Sequence, residues 1–191
     1  MAKKIGFTGA DSTGKSTLIE AIYLRLSNIW RVQSLIVGDI ARSSPYPLVD
    51  QQNIYSSNWI LEQVVISEVS LQRIADIVIC DRTVLDIWIF SRLAASLGSI
   101  SDNQLDSFRY KIRQALRSYH VIFYSVIDNE IPVKLENVPN SKLKIREEFE
   151  EILLSSVEEF QCDTFFVKLP SAPENRMNLV LSTLKSIDVT C

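Results

Sequence analysis

The sequence is poor in the residues that mark disulfide-rich and zinc-binding proteins. It has three cysteines, Cys80, Cys162 and Cys191, and a single histidine, His120. Because an odd number of cysteines without CxxC spacing supplies neither a disulfide framework nor a zinc ligand set, we expect reduced thiols. His120 opens an apolar run, and we expect it to serve the fold rather than catalysis.

An excess of positive charge is also missing. The 191 residues carry 20 Lys and Arg against 23 Asp and Glu, which gives a formal net charge of -3. Since binding to duplex nucleic acid normally needs a broad positive field, this balance argues against a nucleic-acid partner. The length and the apolar fraction of 47% predict one domain over residues 1–191.

The amino terminus lacks an apolar run long enough for a signal peptide or a membrane span. The residues Met1-Ala-Lys-Lys4 lead into a predicted strand of only a few residues. We therefore expect a soluble, cytoplasmic protein without a membrane partner. The sequence leaves the oligomeric state open, a homodimer included.

Apolar runs alternate with amphipathic stretches along the chain. The apolar runs predict strands at about 4–8, 32–37, 77–80, 121–126 and 164–169. Helical patterns cover about 15–26, 53–74, 84–97, 103–118, 142–160 and a last stretch that ends near 186. This order predicts an α/β fold, in which a five-stranded parallel sheet has helices on both faces and ligands at the carboxyl ends of its strands.

The turn after the first strand is a complete phosphate-binding loop. Its sequence, Gly9-Ala-Asp-Ser-Thr-Gly-Lys-Ser16, matches GxxxxGK[ST] between a predicted strand and a predicted helix, as in a three-layer P-loop NTPase fold. Lys15 would bridge the β- and γ-phosphates of ATP, and the Ser16 hydroxyl would ligate Mg²⁺. The predicted ATP-binding residues are Gly9, Ala10, Asp11, Ser12, Thr13, Gly14, Lys15, Ser16 and Thr17.

A carboxylate for the magnesium ion is expected at the end of a neighbouring apolar strand. Asp81 follows the third predicted strand and fits that place. The metal site would therefore contain Ser16 and Asp81. The alternative role for Asp81 is to cap the helix that starts near Thr83, and the two roles can coexist.

Acid and arginine pairs follow the second and third strands. Asp39 precedes Arg42 by three residues, and Asp81 precedes Arg82 directly. Because parallel strands bring their carboxyl ends to one edge, these pairs should meet the phosphate loop. In these residues and the phosphate loop, the chain resembles the P-loop nucleoside and nucleotide kinases, in particular the AAA-type domain of bacterial ribosylnicotinamide kinases and their phage-encoded relatives. Thymidylate kinases and deoxynucleoside kinases are similar but more distant.

The resemblance covers most of the chain. It includes the phosphate loop, Asp39 with Arg42, the Glu62-Gln63 helix, and Asp81-Arg82 with Asp86 beyond. It implies a lid at about 127–146 that closes over the phosphates. In that lid the family usually has Asp-Gly-x-Arg, whereas this chain reads Asn-Val-Pro-Asn at 137–140, so Lys142, Lys144 or Arg146 would supply the charge.

Two acceptor chemistries fit these positions. If the acceptor is a hydroxyl, a nearby carboxylate should take its proton, and Asp39 is the best-placed candidate. If the acceptor is a monophosphate, Arg42 and Arg82 are suited to bind it. The predicted catalytic residues are Lys15, Asp39, Arg82 and Arg146. As alternatives, the two arginines can form surface ion pairs, and the lid cations can belong to a solvated helix face.

Aromatic and amide side chains after the second strand are candidates for reading a base. The predicted substrate-binding residues are Asp39, Arg42, Tyr46, Trp59, Gln63 and Arg82. Trp59 shares the apolar pattern of its helix, however, and can equally belong to the core.

The sequence thus predicts ATP-dependent phosphoryl transfer to a nucleoside, ribosylnicotinamide or nucleoside monophosphate. A nucleotide-hydrolysing regulatory module without a small-molecule acceptor is the alternative. Guanine specificity is disfavoured because Ser125-Val-Ile-Asp128 is not the Asn-Lys-x-Asp run of GTPases. A polynucleotide 5′-end kinase would need a basic strand-binding channel, which the acidic balance argues against.

Overall fold

The strands and helices follow one another in the order that the sequence predicts. The computed structural model describes residues 2–128 and 140–187. Its strands are β1 (Lys3–Gly9), β2 (Ser34–Val37), β3 (Ile77–Asp81), β4 (Val121–Ser125) and β5 (Phe166–Lys168). Its helices are α1 (Lys15–Asn28), α2 (Ile54–Leu71), α3 (Val84–Ser96), α4 (Asp102–Leu116), α5 (Asn140–Phe160) and α6 (Pro173–Ser186). Short 3₁₀ turns at Ile40–Ser43 and Val49–Gln51 lie between β2 and α2.

All five strands form one parallel sheet in the order β2-β3-β1-β4-β5. The register pairs Phe7 of β1 with Asp81 of β3, and Gly9 of β1 with Ser125 of β4. The carboxyl ends of the central strands therefore lie side by side. This arrangement confirms the predicted sheet and sets the phosphate loop beside the residues that follow β3.

Helices cover both faces of the sheet, because its central strands are apolar on both sides. Ile5 and Phe7 pack with α1 and α6, and Phe7 stacks on Phe123 with ring centroids 5.2 Å apart. The opposite core is built by α2, α3, α4 and α5 around Val78, Cys80 and Ile122. Within the part of the chain that the structure describes, no helix is both long and apolar enough to cross a membrane.

The start of α3 is determined by a capping box. The Leu85 amide donates to Thr83 Oγ1 at 3.2 Å, and the Thr83 amide donates to Asp86 Oδ2 at 2.8 Å. Thr83 is therefore the residue that caps this helix. Asp81, for which a capping role was the alternative prediction, stands outside the cap.

A buried ion pair joins β1 to α2. Lys4 Nζ donates to Glu68 Oε2 at 2.6 Å and to Ser118 Oγ at 2.5 Å, while the Tyr119 hydroxyl donates to the other oxygen of Glu68. The side chains of Lys4 and Glu68 are 3% and 1% exposed. Burial raises the pKa of the neighbouring Cys80 thiol, so this cysteine stays protonated and inert.

We expect Glu68→Ala to lower the free energy of unfolding by about 3–5 kcal/mol, because it leaves the Lys4 ammonium buried without a counter-charge. Glu62 lies on the same helix but is exposed, so Glu62→Ala should change that free energy by about 0.5 kcal/mol or less. Urea unfolding of both variants measures the difference. Equal losses would contradict the role given to the pair.

Candidate active site

The phosphate loop lies between β1 and α1, as predicted, and its end glycines adopt backbone angles that other residues avoid. Gly9 has φ +140° and Gly14 has φ +80°. A Cβ atom at position 9 would lie 2.5 Å from the carbonyl oxygen of Ser125. Since α1 begins at Lys15, the free amides of its first turn lie at this loop and favour an anion there.

Lys15 is held inside the loop. Its Nζ donates to the carbonyl oxygens of Gly9 at 2.8 Å and Ala10 at 2.7 Å, and to Thr13 Oγ1 at 3.3 Å. The residue is 6% exposed. Burial, followed by the positive charge of Arg82, lowers the pKa of Lys15 to about 8. The loop therefore keeps the Lys15 ammonium group poorly solvated, and a bound phosphate would neutralise its positive charge.

The two predicted metal ligands are brought together. Ser16 Oγ donates to Asp81 Oδ2 at 3.0 Å, across the gap between α1 and the end of β3. A hydroxyl oxygen and a carboxylate oxygen at one point are ligands that magnesium prefers. These residues therefore fit a magnesium ion, which would neutralise phosphate charge there.

Arg82 connects the loop to α3. Its Nη1 donates to the carbonyl oxygen of Gly9 at 2.8 Å and to Asp86 Oδ1 at 2.9 Å, and its Nη2 pairs with Asp11. Burial works against the charge, but the carboxylates, Asp86 first, raise the pKa of Arg82 above its ordinary value. Its φ of +80° is uncommon for a residue with a side chain and persists because these contacts impose it.

A cleft opens beside Arg82, between α3 and the segment that joins β2 to α2. Its polar end, at the sheet edge, is lined by Asp11, Asp39, Arg42, Asp81, Arg82 and Asp86. Its apolar part is lined by Leu48, Val49, Ile60, Val64, Ile87 and Phe90. Arg42 Nε donates to Asp39 Oδ2 at 3.1 Å, and the Arg42 side chain is 86% exposed. A cleft lined by both charged and apolar side chains suits a small molecule with one polar end.

The structure does not bring every predicted substrate residue to this cleft. Tyr46 and Trp59 pack edge to face, with centroids 6.4 Å apart, and Trp59 rests against the core. Neither they nor Gln63 are among the lining residues. The cleft is lined instead by apolar side chains at the 3₁₀ turn around Val49, together with Gln52. No local pattern indicates this, because the segment between β2 and α2 has the polar, proline-bearing sequence of a loop.

Of the predicted lid cations whose side chains the structure describes, one contacts the phosphate loop. Arg146, on α5, donates from Nε to the carbonyl oxygen of Asp11 at 3.0 Å. Lys144 instead pairs with Glu148 at 3.4 Å, one turn along the same helix. Residues 129–139, which include most of the predicted lid, and the side chain of Lys142 lie outside the described part of the chain.

Arg176, which no sequence motif indicates, supports the phosphate loop from the side of α6. Its Nη1 donates to the carbonyl oxygen of Thr13 at 2.5 Å and its Nε to that of Pro170 at 2.7 Å. The residue is 7% exposed, and burial lowers the pKa of Arg176 from its ordinary value. Thr13 and Arg176 are 163 residues apart in the chain, so no local motif announces the contact.

Comparisons with known proteins agree with this geometry. A family model described as AAA domain matches residues 4–176. Deoxyadenosine kinase from M. mycoides with bound dCTP has a TM-score of 0.67 and 16% identity, over 96% of this chain and 99% of that one. The NadR protein in complex with NR has a TM-score of 0.65 and 14% identity, over 97% of this chain and 51% of that one.

A search of the curated proteins gave no match. At identities of 14% and 16% the likeness to solved structures shows the fold. That fold is the one predicted, a five-stranded parallel sheet with helices on both faces and a phosphate loop after its first strand. The AAA-type resemblance inferred from the phosphate loop and the acid-arginine pairs is confirmed by the family model that matches residues 4–176.

We expect the affinity of the free protein for ATP to fall as the pH rises through about 8, the pKa of Lys15. Below that pH the ammonium is charged and attracts phosphate, and above it the affinity should drop by up to about tenfold per pH unit. Titrations of ATP across this range measure the effect. Lys15→Ala is the control, and a similar pH dependence in that variant would contradict the assignment.

Arg176→Met should weaken ATP binding by roughly tenfold, because the loop loses a charged hydrogen bond that holds the carbonyl of Thr13. Arg176→Lys keeps the charge but cannot reach both carbonyls, so it should recover only part of the affinity. Arg73, which is exposed, provides the control Arg73→Met. If Arg176→Met lowers thermal stability but leaves the dissociation constant of ATP unchanged, its role is in folding alone.

Proposed function

This chain belongs to the AAA domain family, and we propose that it transfers the γ-phosphoryl group of ATP to a hydroxyl of a nucleoside or of ribosylnicotinamide. The observation that carries the proposal is one cleft whose lining combines Asp39 and Arg82 with Asp11 of the phosphate loop and with apolar side chains. The similar structures support it, since one is a deoxyadenosine kinase and the other, NadR, is in complex with NR.

The charges of the cleft favour a hydroxyl acceptor over a monophosphate. Its lining has four carboxylates, Asp11, Asp39, Asp81 and Asp86, against the guanidinium groups of Arg42 and Arg82. Both arginines already have carboxylate partners. A monophosphate would bring further negative charge to this lining and would have to displace those pairs, whereas a neutral sugar hydroxyl needs only an acceptor for its proton.

In the proposed reaction the acceptor oxygen forms a bond to the γ-phosphorus while the bond from that phosphorus to the bridging oxygen of ADP breaks. Asp39 takes the hydroxyl proton. Lys15, Arg82 and Arg146 stabilise the charge on the transferred group, because all three contact the loop that would hold the phosphates. Magnesium at Ser16 and Asp81 would supply further neutralisation of phosphate charge.

A second function, nucleotide-controlled regulation, has its own observation. Asp11 of the phosphate loop contacts Arg82, next to α3, through its carboxylate and Arg146 of α5 through its carbonyl. A change at the phosphates would therefore reach two helices. A module of this kind would hydrolyse ATP slowly and independently of any acceptor.

The two functions differ in what stimulates ADP release. With ATP and magnesium, we expect ADP release to depend on one or more acceptors in a panel of nucleosides, ribosylnicotinamide and nucleoside monophosphates. Lys15→Ala should abolish this release while the thermal midpoint of the protein changes little. ADP release at the same rate with and without every acceptor would overturn the kinase proposal and support the regulatory one.

Asp39→Asn should lower kcat for a hydroxyl acceptor by roughly 10²- to 10⁴-fold, since it removes the base and keeps the shape. The affinity for ATP should stay close to that of the unchanged protein, because among the described residues Asp39 is hydrogen-bonded to Arg42 and not to the phosphate loop. Asp102→Asn, at an exposed position, is the matched control. Unchanged turnover in Asp39→Asn would point instead to a monophosphate acceptor bound by Arg42 and Arg82.

A further inference from the structure

A relay of buried hydrogen bonds ends at the apolar part of the cleft. Gln52 Nε2 donates to Ser57 Oγ at 3.0 Å. The hydroxyl groups of Ser57 and Ser91 are hydrogen-bonded to each other at 2.8 Å. Ser91 Oγ donates to the carbonyl oxygen of Ile87 at 2.7 Å. Gln52 is 2% exposed and the two serines are fully buried. Gln52 and Ile87 both line the cleft.

The direction of this relay follows from the number of protons available. A carbonyl oxygen can only accept, so the single hydroxyl proton of Ser91 goes to Ile87. Ser57 must then donate its own proton to Ser91, which leaves its oxygen as an acceptor. Only an N–H can complete the bond to Gln52, and therefore Nε2, not Oε1, faces Ser57.

The relay thus fixes the orientation of the Gln52 amide. Its Oε1 takes no part in the relay, and among the described residues no hydrogen bond to it is found. Thr83, the other lining side chain that is polar and uncharged, is engaged with Asp86 and the Leu85 amide. Gln52 Oε1 is therefore an uncommitted acceptor next to the apolar walls of the cleft.

We propose that Gln52 Oε1 selects acceptors whose ring carries an –NH₂ group, either an exocyclic amino group or a carboxamide, over acceptors with a ring carbonyl at that place. The inference rests on the proposed function and narrows its substrate class. An amino group donates to Oε1, whereas a carbonyl oxygen would place lone pair against lone pair beside the apolar side chains of the cleft. The relay prevents the amide from turning to avoid this.

The experiment compares kcat/KM for pairs of acceptors that differ in this group, deoxyadenosine with deoxyinosine and deoxycytidine with deoxyuridine. We expect the protein to favour the amino member of a pair that it accepts by roughly 10- to 100-fold. Gln52→Met should bring the ratio close to one by lowering the rate with the amino member. Ser57→Ala should also lower the ratio, but by raising the rate with the keto member, because the amide becomes free to turn.

Gln51→Met is the control, since Gln51 is exposed and does not line the cleft, and it should keep the ratio of the unchanged protein. Thermal midpoints establish that each variant is folded, and Ser57→Ala tests the inference even if Gln52→Met does not fold. A preference that survives in every folded variant, or a preference for the keto members, overturns the inference alone. If the unchanged protein phosphorylates no acceptor at all, the proposed function fails and the inference fails with it.

Discussion

The site depends most on the contacts that the Arg82 guanidinium group makes. It binds the carbonyl of Gly9 and the carboxylates of Asp11 and Asp86, so one charge joins the phosphate loop to the start of α3. The parallel register of β1 and β3 makes this possible because it sets the ends of the two strands side by side. Removing the guanidinium would leave the buried Asp86 carboxylate without a counter-charge, although Thr83 still donates to it. The contacts of Arg82 therefore serve both the fold and the site.

Much of this arrangement could be predicted from the sequence, because its determinants are local. The glycines and Lys15 of the phosphate loop lie within eight residues of one another, and the apolar runs show where the strands are. The topology then places Asp39 and Asp81 at the same edge without further information. The residue that caps α3 could not be predicted in this way, because Thr83 rather than Asp81 caps the helix once the capping box with Asp86 forms.

The remaining features depend on contacts that no local pattern encodes. Arg176 reaches Thr13 only after α6 has packed beside α1, and Gln52 acquires a fixed orientation only through Ser57 and Ser91. Tyr46 and Trp59 are aromatic and were predicted to stack on a base, but the Trp59 side chain packs against the core instead. Residue type identified the phosphate chemistry, whereas the choice of acceptor depends on packing.

In the proposed reaction, the cleft beside Arg82 holds a neutral hydroxyl acceptor with Asp39 as its base. A crystal structure with a non-hydrolysable ATP analogue and a nucleoside or ribosylnicotinamide tests this directly. We expect an acceptor hydroxyl within hydrogen-bond distance of the Asp39 carboxylate and in line with the γ-phosphate. A phosphate group bound there by Arg42 and Arg82, or an acceptor bound away from Asp39, would contradict it.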